Sequence, residues 1–222
     1  PQLPEVGIYY SARSRDWYGR ETPSKYQQAF NGAHKAMVYE HIPFGVILDE
    51  NVTADTLRRF PVVLLPNVPI LSEREIGWLR DYVEQGGNLI ITGHTGLFGP
   101  MGEPLDHPPI ESLSGARLVE RLSTTDNFVR FPADAPEALR AGFPTDWPFL
   151  VEGPGAAFTP TTAMAVGELL RPHRTVRQQK GEEPVYQPNS ADRPVGPALL
   201  VNAVGKGKVV CIAGAPDFAC AS

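Results

Sequence analysis

The turn Gly93-His94-Thr95-Gly96 has the make-up of a nucleophile elbow, the sharp strand-to-helix bend that presents a Ser or Cys to a nearby base. It carries no thiol, and Thr95 would be an unusual nucleophile away from a chain terminus. The plainer expectation is that Gly93 and Gly96 meet backbone needs while His94 hydrogen-bonds locally. Polar residues also follow the other apolar runs: Arg13, Arg15, Asp16, Trp17, Tyr18 and Glu21 after the first, Asp49 and Glu50 after the second, Asn67 after the third. With His94 and Thr95 they form the candidate ligand or interface loops, because open α/β sheets bind ligands beyond the carboxyl ends of their strands.

Other chemistries fit less well. Asp16 with Glu21, or Asp49 with Glu50, supplies two carboxylates, but a glycosidase needs them facing a sugar across a defined gap, and solvated loop acids are the simpler reading. His34 and His41 lie seven apart without a third ligand, and His107 and His173 have no partner at metal spacing, so no metal and no cofactor is assigned. Gly205-Lys206-Gly207 lacks the rest of a phosphate loop and reads as a turn. Cys211, inside an apolar run, reads as a small core residue.

The elements that must position these loops are marked locally. Val62–Leu65 is a short β-branched and aliphatic run of the kind covered on both faces of a parallel sheet, ended by Pro66. Ser72 and Glu75 form a capping box, Ile76, Leu79 and Val83 give the helix an apolar stripe, and Gly86-Gly87 stops it before a strand at Asn88–Thr92. Upstream, the pattern predicts strands at Val6–Tyr10 and Phe44–Leu48, a helix at Ser24–His41 and a short Thr-capped helix at Thr53–Arg59. Downstream, 15 of the 23 prolines fall between Pro100 and Pro197, a density that excludes long helices and central strands. Loops and edge strands are expected there, with a helical turn at Ile110–Leu113, a strand or short helix at Ala163–Leu170 and a polar excursion at Arg174–Arg193. Pro197–Val204 and Lys208–Ala213 then read as a closing hairpin. The fold class is α/β, a doubly wound, mostly parallel flavodoxin-like sheet, with 1–222 as a single domain and 100–196 as its Pro-rich, loop-rich section.

Composition narrows the function. The chain has 222 residues, 42% hydrophobic, enough for a buried core. Its net charge of -5 comes without a dense basic run, which argues against nucleic acid, and no apolar stretch reaches the roughly 20 residues of a membrane span. A soluble segment cut from a longer polypeptide is expected, with the cytoplasm favoured over secretion. Trp78 and Tyr82, four apart and off the Ile76-Leu79-Val83 stripe, are candidate interface residues unless a neighbouring helix or the Pro-rich section covers them. Trp17 and Tyr18, aromatics in a polar loop, suit a sugar platform or an interface anchor.

Two stretches, VVLLPNVPILSEREIGWLRDYVEQGGNLIITGHTGLFG from Val62 to Gly99 and PALLVNAVGKGKVVCIAG from Pro197 to Gly214, resemble the middle, trimerisation domain of the family-42 β-galactosidases and related multidomain glycoside hydrolases. The resemblance implies a class I glutamine amidotransferase-like fold without its cysteine nucleophile, serving assembly beside a separate catalytic barrel whose acid and nucleophile match no residue here. It also implies a homo-oligomer, a trimer, that meets sugar through a neighbouring catalytic domain, with the Arg13–Glu21 loop a candidate to be lent to a neighbouring active site. The leading expectation is therefore a non-catalytic assembly domain of a carbohydrate-processing hydrolase. The alternatives are an active small-molecule hydrolase or amidotransferase-like enzyme using the loop cluster, and a carbohydrate-binding module built on Trp17 and Tyr18.

Overall fold

The computed structural model describes residues 4–122, 126–171 and 194–221. Its elements run β1 (Val6–Tyr10), α1 (Ser24–Tyr39), β2 (Phe44–Leu48), α2 (Ala54–Leu57), β3 (Val62–Leu65), α3 (Glu73–Glu84), β4 (Asn88–Thr92) and α4 (Glu111–Ser114). Next come β5 (Ala116–Leu122), β6 (Asp126–Arg130), α5 (Glu137–Arg140), β7 (Phe149–Glu152), β8 (Gly155–Pro160), β9 (Met164–Val166) and β10 (Glu168–Leu170). The last stretch holds β11 (Pro194–Gly196), β12 (Leu199–Val204), β13 (Gly207–Ile212) and α6 (Asp217–Ala221).

The main sheet has the order β2-β1-β3-β4-β13-β12-β9. Its first five strands are parallel, and β12 and β9 close it in antiparallel fashion. Side chains alternate across it as strand geometry requires. Ile8 and Leu64 pack with Ala33, Phe30 and Met37 of α1 on one face. Tyr9, Val63, Leu65, Leu89 and Ile91 join Ile76, Leu79 and Val83 of α3 on the other, each buried aliphatic side chain contributing about 1.5–3 kcal/mol. The expected capping box of Ser72 with Glu75 begins α3, and the expected Thr53 cap of α2 proves to be a capping box with Thr56. The doubly wound sheet and its late hairpin, six residue pairs between β12 and β13, are as expected.

The Pro-rich section is more ordered than its composition suggests. β5 and β8 form a two-stranded ribbon, and β11, β10, β6 and β7 a four-stranded satellite sheet. The prolines sit mostly between these strands or at their ends, where no ladder hydrogen bond is lost. Ala163–Leu170 proves to be two strands rather than one element. Gly167, at φ 66, lets the chain turn so that β9 edges the main sheet and β10 joins the satellite. The expected excursion at Arg174–Arg193 lies outside the described residues.

The two aromatics of α3 part company. Tyr82 is buried, 3% exposed, with its ring against Gly87 and its hydroxyl donating to the Phe60 carbonyl at 2.8 Å, so its cover comes from within the chain. Trp78 is half-buried, with the Arg74 guanidinium 4.6 Å from its ring centroid. Among the described residues no helix is long and apolar enough to cross a membrane.

Candidate functional site

With the order β2-β1-β3, the chain leaves β1 toward one edge of the sheet and returns through β3 on the other side. The crevice beyond the carboxyl ends of these two strands is the topological switch point, the default ligand site of such sheets. Here side chains of the protein itself fill it. Glu75, placed at the third residue of α3 by its capping box, is 2% exposed. Its Oε2 accepts from Arg13 Nη2 at 2.5 Å, from the Ser72 amide at 2.8 Å and from the Ser72 hydroxyl, while Oε1 accepts from the Tyr9 hydroxyl. Burial first, and then the Glu75 charge, push the Tyr9 phenol far above its ordinary range. Burial works against the charge on Arg13, but its bonds to Glu75 outweigh that and hold it protonated.

Arg13 also lies 3.8 Å from Asp49 beyond β2, whose Oδ2 accepts from the Ser11 hydroxyl at 3.0 Å and the Arg13 amide at 3.3 Å. Asp49 Oδ1 has no partner among the described residues. A one-turn π-helix at Ser14–Tyr18 roofs the crevice, and the Ser14 hydroxyl accepts the Ile70 amide at 3.1 Å to tie it to the loop after β3.

The turn after β4 is equally occupied. Gly93 and Gly96 adopt φ of 57° and 70°, a region L side chains rarely enter. The Thr95 hydroxyl donates to the Thr92 carbonyl at 2.7 Å and accepts from the Val68 amide at 2.9 Å, so nothing activates it as a nucleophile. His94 is 7% exposed and its Nε2 sits 2.8 Å from the Gly155 carbonyl, which requires the proton on Nε2. Nδ1 is then free to accept from the Tyr18 hydroxyl at 3.1 Å. Burial lowers the imidazole pKa to about 4, so the ring is neutral at physiological pH. Asn67, itself at φ 44°, accepts the His94 amide at 2.9 Å and donates to the Lys25 carbonyl at 3.2 Å. Its own amide donates to Thr92 Oγ1 at 2.9 Å, and that hydroxyl donates to Asp217 Oδ2 at 3.2 Å. Burial raises the Asp217 pKa to about 7, against the lowering effect of its hydrogen bonds.

The candidate residues thus separate into three groups. Arg13 joins the crevice cluster, and Tyr18, Asn67, His94 and Thr95 form a buried joint between the sheet and β8. Arg15, Asp16, Trp17 and Glu21 stay at the surface. Arg15 pairs with Asp16 at 2.6 Å, and Trp17, 43% exposed with the Arg20 guanidinium 5.8 Å from its ring, borders a cleft of about 150 Å³ with Glu21, Thr22 and Lys25. Among the described residues no group of three His, Cys, Asp or Glu side chains is placed to hold a metal ion. Cys211 is a core thiol, its pKa raised to about 12 by burial.

Sequence reasoning missed Tyr9, the second role of Glu75 and the buried Asp217. A polar group in a central strand was the one available signal for Tyr9. Glu75 was hidden by its own capping motif, and nothing near Asp217 marks it.

Two expectations follow. Glu75→Ala strands Arg13 and two hydroxyls; it should cost about 3 kcal/mol in chemical denaturation, the low end for a broken buried pair because Arg13 is 38% exposed. A loss under about 1 kcal/mol would show an ordinary surface pair. Asp217 has its folded pKa raised, so between about pH 4 and pH 7 the folded state keeps a proton that the unfolded chain has released, and stability falls as pH rises through that window. Asp217→Asn should therefore gain in Tm over the parent from pH 4 to 7 and hold a constant gain above. His94, with its pKa lowered, has the opposite slope from about pH 6.5 down to 4, and thermal melts of the Asn variant should expose it as stability that increases with pH.

A family model described as the beta-galactosidase trimerisation domain matches residues 4–130. Over 97% of its length the chain is similar to the beta-galactosidase from Bacillus circulans sp. alkalophilus, with a TM-score of 0.70, 17% identity and 29% of that chain covered. The alpha-L-fucosidase isoenzyme 2 from Paenibacillus thiaminolyticus aligns over 99% of this chain and 30% of its own, with a TM-score of 0.70 and 16% identity. An exo-beta-1,4-mannosidase from Opitutaceae bacterium strain TAV5 aligns over 97% and 32%, with a TM-score of 0.59 and 17% identity. Such identities establish the shared fold, and the chain spans less than a third of the length of these structures. No curated protein matches. Because the family match covers 127 of 222 residues, the chain belongs to the beta-galactosidase trimerisation domain family.

Proposed function

We propose that this chain is a non-catalytic assembly domain of a carbohydrate-processing, beta-galactosidase-like hydrolase, and that it holds copies of the parent protein together as a trimer. The observation that carries this reading is the crevice at the switch point, where Arg13, Glu75 and Tyr9 occupy the space a ligand would need. The second supporting feature is the turn after β4, where every polar side-chain atom of His94 and Thr95 is already hydrogen-bonded. The Pro-rich section belongs to the same unit, since β9 extends the main sheet and the Gly155 carbonyl receives His94. Both cysteines are free thiols, which fits a cytoplasmic setting better than a secreted one.

One observation favours a second role. Trp17 beside the cleft with Glu21, Thr22 and Lys25 leaves an aromatic surface next to hydrogen-bonding groups, the composition of a sugar contact, so this loop is suited to reach a neighbouring active site.

Assembly predicts a concentration-dependent trimer in sedimentation velocity, and a chain that stays monomeric at high concentration would sink the reading. For the loop, galactosides should quench the fluorescence of a chain retaining Trp17 as its one tryptophan. A flat titration removes the sugar role and leaves assembly untouched.

A further inference from the structure

A three-membered ring cannot be built from one self-complementary patch; each subunit must present two different surfaces that fit one another. Resting on the assembly reading, we infer that these surfaces are an acidic aromatic knob at Trp147 and a basic pocket at the amino end of the main sheet, the knob of one copy entering the pocket of the next.

The knob is rigid and uncovered. Trp147 is 69% exposed, and Phe143 and Leu150 beside it are 48% and 47% exposed. Pro144 and Pro148 bracket the loop, and the Asp146 amide donates to the Phe131 carbonyl at 2.8 Å. Asp146 itself is held at φ 59°, a conformation that costs a non-glycine residue energy. Phe143 stacks on Phe149 with centroids 5.0 Å apart, and Phe149 stacks on the buried Phe131. The backbone that carries Trp147 is fixed this way, so little of the loop is ordered on docking, and tryptophan is among the residues enriched at interface hot spots. Residues 131–152 carry four exposed acids, Asp134, Glu137, Asp146 and Glu152, against the single base Arg140, a local charge of -3.

The pocket lies where the chain enters β3 and β4. It measures about 430 Å³, and its walls include Phe60, Pro61, Tyr82 and Gly87, with Arg59 and with Arg58, whose Nη1 pairs with Asp55 at 2.9 Å. Among the described residues no carboxylate lines it. An apolar cavity with a cationic rim complements an indole with an anionic rim in both shape and charge, and opposite potentials also align the two copies before contact.

The test mixes two variants in sedimentation velocity. Trp147→Ser removes the knob and Arg59→Glu reverses charge at the pocket; both positions are exposed, and unchanged circular dichroism and Tm verify folding. Each alone should weaken self-association about 30-fold or more. Mixed, they retain one intact knob and one intact pocket, so they should form a one-to-one dimer that does not grow. Glu137→Lys on α5 serves on the knob side should Trp147→Ser fail to fold. Either variant keeping the parent oligomer, or a mixture that stays monomeric, overturns the knob-and-pocket contact and leaves the assembly reading intact. A monomeric parent chain, or one that grows beyond three copies, overturns this inference, and the former removes the assembly reading as well.

Discussion

A carboxylate removed from water must be surrounded by donors, and Glu75 imposes that requirement on the whole carboxyl end of the sheet. Its position is dictated by the capping box that starts α3, so the group that satisfies the helix amides is also driven into the crevice between β1 and β3. There it draws in Tyr9 from the centre of β1 and Arg13 from the loop beyond it. Once Arg13 is committed, Asp49 at the end of β2 gains a cationic neighbour, and three loops become one charged joint. Leaving any of these donors unmatched would cost about 1–3 kcal/mol, which is why the arrangement is all or nothing.

The same logic governs the turn after β4. Catalysis there would need a nucleophile with a free lone pair, a base able to take a proton near neutral pH, and an opening for substrate. Thr95 has its hydroxyl committed as a donor to the backbone, His94 is a buried neutral bridge that resists protonation until about pH 4, and Tyr18 bonds to the remaining ring nitrogen. Each group is polar enough to suggest a site in sequence, and each is consumed by a structural bond. The end of the sheet where open α/β folds generally bind ligands is here a bonded joint between the parallel sheet and the Pro-rich section.

How far this was legible depended on the distance over which the signal acts. The unit from Phe60 to Gly96 was readable because its caps, apolar stripe and glycine stop lie within a few residues of what they control. Tyr9 and Glu75 are 66 residues apart, and no local pattern couples them. The satellite strands escaped for a related reason: β5 pairs with β8 and β6 with β10 across some forty residues, and prolines at their margins imitate loops. Trp78 and Tyr82 were expected to lie off the helix stripe, but Tyr82 joins Ile76, Leu79 and Val83 in one core cluster and Trp78 packs against it, because Gly87 leaves room for the Tyr82 ring. Trp147 drew no notice because a lone tryptophan between prolines has no periodicity to read, and its exposure is a tertiary fact.

Rigidity links the filled crevice to assembly. Association is opposed by every side chain and loop that must be ordered on contact, at about 0.5–1.5 kcal/mol for each mobile side chain. A domain whose crevice and β4-turn side chains are bonded to one another, and whose most exposed tryptophan sits on a loop bracketed by two prolines beside a stack of phenylalanines, has met part of that cost during its own folding. The bonds that occupy the carboxyl end of the sheet are therefore also those that suit the domain to hold copies in register, because a contact surface carried on a bonded framework needs little ordering when it docks.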